Sequence, residues 1–162
     1  MTITVGSTLP DATLLQIGSN GAEGVSMAAK LKGRNIVIFG LPGAFTGTCS
    51  TSHVPSFMRV AEKLRAKGVD EIICVSVNDP FVMKAWGEST GAAAKGITLL
   101  GDGDASFTKA IGMEFSKPIE AFFDRSKRYA LYAVDGVVKV LNQGKETRAC
   151  EISGGEAMLE SI

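Results

Sequence analysis

Two short apolar runs constrain the architecture of this chain more than any other feature. Residues 34–40 (RNIVIFG) and 71–77 (EIICVSV) are rich in β-branched side chains and lack polar alternation, the pattern of strands buried on both faces of a sheet. Between them Val54, Phe57, Ala61 and Leu64 recur at helical spacing, while Arg59, Glu62, Lys63 and Arg65 take the other side. This spacing predicts an amphipathic helix over residues 50–67, closed by Gly68. Pro55 lies inside it and has no N–H to donate, which predicts a kink one to two turns in.

Beyond the second run, Asn78-Asp79-Pro80 supplies a helix cap with proline at the first helical position, and the helix that follows carries Phe81, Val82, Ala85 and Trp86. The glycine-rich stretch 87–96 reads as a loop, residues 97–101 as a third strand, and residues 105–111 as a short helix that Gly112 ends. Residues 127–134 and 137–142 flank Asp135-Gly136, a dipeptide suited to a tight antiparallel hairpin, and residues 155–162 read as a final helix. Strand and helix alternate through the first two thirds, then a hairpin and a helix close the chain. The expected fold class is α/β, a mixed sheet flanked by helices on both faces, in one domain spanning 1–162.

Composition narrows the function. Lys and Arg total 17, as do Asp and Glu, so no basic face invites nucleic acid. No apolar run reaches membrane-spanning length, and the first ten residues lack the basic and apolar regions of a secretory leader, so a cytoplasmic protein is expected. Three cysteines do not make a secreted disulfide scaffold, and a lone histidine, His53, offers little to a zinc ion. Chemistry by an individual thiol is what remains.

The informative loop is residues 40–50 (GLPGAFTGTCS), which leaves a buried strand and enters the first turn of a helix. Unpaired N–H groups and the helix dipole favour negative charge there, so Cys49 is placed to act as a thiolate nucleophile. Thr46 can bring a hydroxyl near the sulfur, and Pro42 can shield it from water without offering a competing donor. A phosphate-binding loop also begins as a glycine-rich turn between strand and helix, but it requires Lys and then Ser or Thr after its last glycine, and Gly47 is followed by Thr48 and Cys49. The bland alternative is that Cys49 is a small buried hydrophobe, the common fate of a free cysteine.

Pro42, Thr46 and Cys49 match the Pro-x-x-x-Thr-x-x-Cys signature of peroxiredoxins, and the chain resembles the type II, or peroxiredoxin-5-like, branch. The resemblance runs nearly end to end, through Leu9-Pro10, the Cys49-Ser50 and His53-x-Pro55 continuation, Ser76-Val77-Asn78-Asp79, Phe81, Trp86 and Lys127-Arg128-Tyr129. It implies a thioredoxin-like fold and reduction of hydrogen peroxide and organic hydroperoxides without metal or flavin. It further implies an arginine that supports the thiolate and the developing charge on the peroxide. Arg128 matches that position best, with Arg125 its near neighbour. His53 would organise the site, and Trp86 and Phe81 read as core or subunit-contact residues. Gly47 stands where the type II pattern commonly has proline, which should ease unwinding of that turn. Leu41, Phe45 and Phe81 suggest a homodimer with its contact beside the pocket.

The sulfenic acid formed on Cys49 must be reduced. Cys74 matches the second cysteine of plant type II enzymes but lies in a run that reads as buried. Cys150 lies near the resolving cysteine of the animal branch, about two residues out of register, with Arg148 and Glu151 suggesting exposure. An external thiol (glutathione, glutaredoxin or thioredoxin) is the favoured route, with Cys150 next. Two other classes share parts of this reading. A thiol-disulfide oxidoreductase would want Cys-x-x-Cys, which is absent, and a redox sensor would consume about one equivalent of peroxide per site.

Overall fold

The computed structural model describes residues 2–144 and 152–162. Its elements are β1 (Thr13–Gly18), β2 (Gly21–Ser26), α1 (Met27–Leu31), β3 (Asn35–Gly40), a π-turn (Cys49–His53), α2 (Val54–Ala66), β4 (Glu71–Ser76), α3 (Pro80–Thr90), β5 (Thr98–Gly101), α4 (Ser106–Ala110), β6 (Glu114–Lys117), β7 (Phe122–Ser126), β8 (Tyr129–Val134), β9 (Val137–Gln143) and α5 (Gly155–Ser161). Seven strands form one sheet in the order β2-β1-β5-β4-β3-β8-β9, while β6 and β7 pair separately. β3, β4 and β5 run parallel, and β1 and β8 join this trio antiparallel. The fold is a thioredoxin-like α/β arrangement.

The unbroken apolar character of β3 and β4 has its cause in this layering. Val37, Phe39, Ile72 and Cys74 pack with Phe57, Leu64 and Trp86 on one side of the sheet. Ile36, Ile38, Ile73 and Val75 pack with Met27, Leu31 and Phe107 on the other. Successive side chains point to opposite faces, and both faces are covered, so the central positions 36–39 and 72–75 are all apolar. Phe39 and Phe57 stack at 4.1 Å between ring centroids, which locks α2 onto β3; losing such a ring costs about 3–5 kcal/mol.

Local signals hold at several caps. Asp79 accepts from the Val82 N–H with Pro80 as the first residue of α3, and Asp135 (φ 49°) and Gly136 (φ 78°) form the two-residue turn between β8 and β9. Three features differ from the sequence reading. The stretch 87–96 is not simply a loop: Gly87 lies within α3, where a Cβ would press 3.1 Å from Leu99, so the glycine serves helix-to-sheet packing. The β1–β2 hairpin carries little sequence signal beyond Asn20-Gly21 at its turn, because no buried stripe accompanies it. The β6–β7 pair is interrupted by Pro118 and a register shift, which erases any strand periodicity. No helix among the described residues is long and apolar enough to cross a membrane.

Candidate active site

Cys49 opens a widened helical turn in which the Val54 N–H donates to the Cys49 carbonyl, five residues back. The helix adapts to Pro55 upstream of it. A proline lacks the N–H for the regular bond and its ring crowds the carbonyl four residues earlier. The π-turn absorbs the mismatch, and Pro55 falls in the first turn of α2, where a missing donor costs little. Cys49 is 1% exposed and packs in the same core as Phe39 and Phe57.

Strand register delivers the cation. β8 runs antiparallel beside β3 with Tyr129 opposite Gly40, so Arg128, one residue before the strand, lies against the loop that follows β3. Its Nη2 donates to Cys49 Sγ at 3.3 Å, and its Nη1 donates to His53 Nδ1 at 2.9 Å. The other ring nitrogen, Nε2, lies 2.9 Å from the Ser153 carbonyl. A carbonyl can only accept, so Nε2 carries the proton and Nδ1 offers its lone pair to Arg128. Burial, and then the Arg128 charge, lower the His53 pKa to about 3. The imidazole is therefore neutral at physiological pH and fixed between two partners. Arg128 itself is only 3% exposed.

Thr46, Pro42 and Arg125 lie close by. The Thr46 hydroxyl donates to the Gly43 carbonyl at 2.6 Å, which leaves its lone pairs as acceptors. Pro42 is buried, and its carbonyl accepts from Arg125 Nη1 at 3.0 Å. Arg125 also lies 5.0 Å over the Phe122 ring, so it props the loop. A pocket of about 530 Å³ is lined by Pro42, Thr46, Gly47, Thr48, Glu120, Phe122 and Arg128. A larger groove of about 730 Å³, along α2 and residues 94–96, is lined by none of Pro42, Thr46, Cys49 and Arg128.

Comparison with known proteins shows the family. The Redoxin family model matches residues 4–159. Peroxiredoxin-2C of Oryza sativa is 45% identical over 161 residues, covering 99% of this chain and 98% of the relative. The chloroplastic Peroxiredoxin-2E-2 of the same plant is 49% identical over 166 residues, covering 99% and 73%. The solved structure of reduced Prx3 from Vibrio vulnificus, in complex with hydrogen peroxide, superimposes with a TM-score of 0.89 at 45% identity, covering 98% of each chain. The chain belongs to the type II peroxiredoxins. It is a thiol-dependent peroxidase, with Cys49 as the peroxidatic residue.

The rest of the peroxiredoxin's thiols and aromatics divide by burial. Cys74 is free and fully buried, and burial, followed by the neighbouring Cys49 charge, pushes its pKa well above the ordinary range. A thiol kept protonated under the sheet is a poor nucleophile. Cys150, with its neighbours Arg148 and Glu151, lies outside the described residues. Trp86 is a core residue whose indole N–H donates to Ser50 Oγ at 2.9 Å, one residue from Cys49, whereas Phe81 is exposed. Leu41, expected at a subunit contact, is wholly buried in the protein's own core and cannot serve there.

His53 gives a pH test. Its folded-state pKa is depressed, so the unfolded chain binds a proton that the folded chain does not, between pH 6.5 and about 3. The stability it contributes is complete above pH 6.5 and is lost as pH falls, by up to about 1.4 kcal/mol per pH unit. Denaturant unfolding of the wild type between pH 7 and 5 should show this slope, and His53→Gln should flatten it.

Proposed function

We propose that Cys49, Thr46, Pro42 and Arg128 form the catalytic set of this peroxidase, that an external thiol resets it, and that it works as a homodimer. The observation that carries the first part is the Arg128 guanidinium held 3.3 Å from Cys49 Sγ, beside an open pocket. The thiolate attacks the terminal oxygen of the hydroperoxide. The S–O bond forms as the O–O bond breaks, and the departing oxygen takes a proton from solvent and leaves as water or alcohol. Arg128 stabilises charge on sulfur and then on the peroxide oxygens. Thr46 accepts a hydrogen bond from the peroxide and so orients it, and Pro42 limits water. Cys49 becomes a sulfenic acid. The hydrogen peroxide held by the Vibrio vulnificus relative supports the same substrate here.

Reduction then requires a thiol to attack the sulfenic sulfur, releasing water and leaving a mixed disulfide that a second thiol cleaves. Cys49 is too buried to be reached without opening of its turn. Gly47, exposed and with open space around it, is where that opening costs least. Glutathione with glutaredoxin, or thioredoxin, is the reductant class that fits, in a reducing compartment such as the cytoplasm. The Cys74→Ser, Cys150→Ser double variant should retain turnover with at least one of these donors. Complete loss with all of them, together with a Cys49–Cys150 disulfide by mass spectrometry in the wild type, would assign the resolving role to Cys150.

The dimer rests on two aromatic rings beside the pocket. Phe45 and Phe81 are 57% and 66% exposed, and Phe45 adopts φ 62°, a conformation costly for a bulky side chain. The loop that carries Phe45 and the turn that leads into α3, where Phe81 lies, are joined by the Ala44 N–H donating to Asn78 Oδ1 at 3.0 Å. Sedimentation should give a dimer that Phe81→Glu dissociates; a concentration-independent wild-type monomer would refute it.

A further inference from the structure

We propose that Ser56 is a positioning residue of the peroxidase site, holding segment 153–155 against the turn of Cys49 so that His53 keeps the one tautomer able to accept from Arg128; this rests on reading Arg128 as the catalytic cation. Ser56 lies in the first turn of α2 and is 4% exposed. Its hydroxyl donates to the His53 carbonyl at 2.6 Å and accepts from the Gly155 N–H at 2.9 Å. Gly154, the residue before α5, has no side chain to cap that helix, so the oxygen comes from α2 instead. The approach is close, and a Cβ on Gly155 would overlap the Ser56 carbonyl.

Two residues before that anchor, the Ser153 carbonyl accepts from His53 Nε2 at 2.9 Å and so keeps the ring proton there. The Ser153 hydroxyl has no hydrogen-bond partner among the described residues, so no side-chain bond of its own holds this carbonyl in place; the anchor at Gly155 does. A proton moved to Nδ1 would face the Arg128 Nη1–H, donor against donor, since a guanidinium has no acceptor. The guanidinium would then leave the geometry that spans His53 and Cys49 Sγ. Ser56 does not line the pocket, so its effect on the sulfur passes through His53 and Arg128.

His53 is the only histidine in the chain, so nitrogen NMR of isotope-labelled imidazole reports on it alone. Near neutral pH, where the ring is uncharged, the reduced wild type should show two widely separated ring signals, the mark of a single tautomer with its proton on Nε2. Ser56→Ala should draw the signals together as both tautomers populate, and should slow the reaction with hydrogen peroxide by about three- to tenfold in stopped-flow mixing. Lys67→Gln is the control for α5 as a whole. Lys67 Nζ donates to the Leu159 and Ile162 carbonyls at the far end of that helix, so its loss weakens docking away from His53 and should leave signals and rate at wild-type values. Arg59, bonded to Glu156, keeps α5 on α2 in either variant. Unmoved signals or an unchanged rate in Ser56→Ala overturns the proposal, as does an equal shift in Lys67→Gln. A wild-type rate in Arg128→Gln would instead overturn the reading of Arg128 on which the proposal rests.

Discussion

Cys49→Ser should reduce peroxide turnover to the level of the reductant alone, while Cys74→Ala should keep most of it. A serine hydroxyl is not ionised near neutral pH and is a far weaker nucleophile than a thiolate, so the oxygen-transfer step has no replacement. The environment explains why one buried thiol reacts and the other does not. Cys49 starts a helical turn and receives a hydrogen bond from Arg128. Cys74 sits mid-strand, opposite Phe39 in the register of β3 and β4, with its ionisation opposed by burial. Cys74→Ala removes a small apolar volume from the core, at a cost of about 1 kcal/mol, which the fold should tolerate. Peroxide consumption by the three purified proteins, with fold verified by circular dichroism, measures this. Substantial peroxidase activity in Cys49→Ser would remove Cys49 from the mechanism.

Arg128→Gln should lower the rate constant for reaction with peroxide by about 10²–10³, the usual consequence of deleting one preorganised donor to developing charge. The substitution removes the positive charge 3.3 Å from the sulfur and frees His53 Nδ1 of its partner. Arg125→Gln should cost about tenfold or less, since that guanidinium acts on the Pro42 carbonyl and the Phe122 ring rather than on sulfur. Arg128→Lys is expected between the two, because an ammonium keeps the charge and loses the two-pronged geometry that spans Cys49 and His53. Stopped-flow mixing of reduced enzyme with hydrogen peroxide separates these cases. A severe defect in Arg125→Gln with a near-normal Arg128→Gln would reverse the assignment.

Much of this site could be read from residue order, and the reasons are local. Pro42, Thr46, Cys49 and the helix that starts at the cysteine are neighbours along the chain, so a motif and a helical period suffice to bring them together. The buried strands β3 and β4 announce themselves because a strand covered on both faces has no polar position left to it. The turn at Asp135-Gly136 was likewise legible, since it needs two residues at positive φ and few dipeptides supply them.

The distant partners were another matter. Physical chemistry requires a cation for the thiolate but does not choose between Arg125 and Arg128; the resemblance favoured Arg128, and the pairing of Tyr129 with Gly40 provides the reason. His53 sits one helical turn from Cys49, yet its proton position depends on Ser153, 100 residues later. Ser56 carried no signal at all, because a serine in the first turn of a helix is an ordinary residue until α5 brings the Gly155 N–H onto its hydroxyl. The sequence by itself determined the nucleophile, its helix and the layered sheet, since these follow from short-range periodicity and backbone chemistry. Only the tertiary structure decided which charges surround the sulfur, because that depends on strand register, where a shift of one residue turns a side chain to the opposite face.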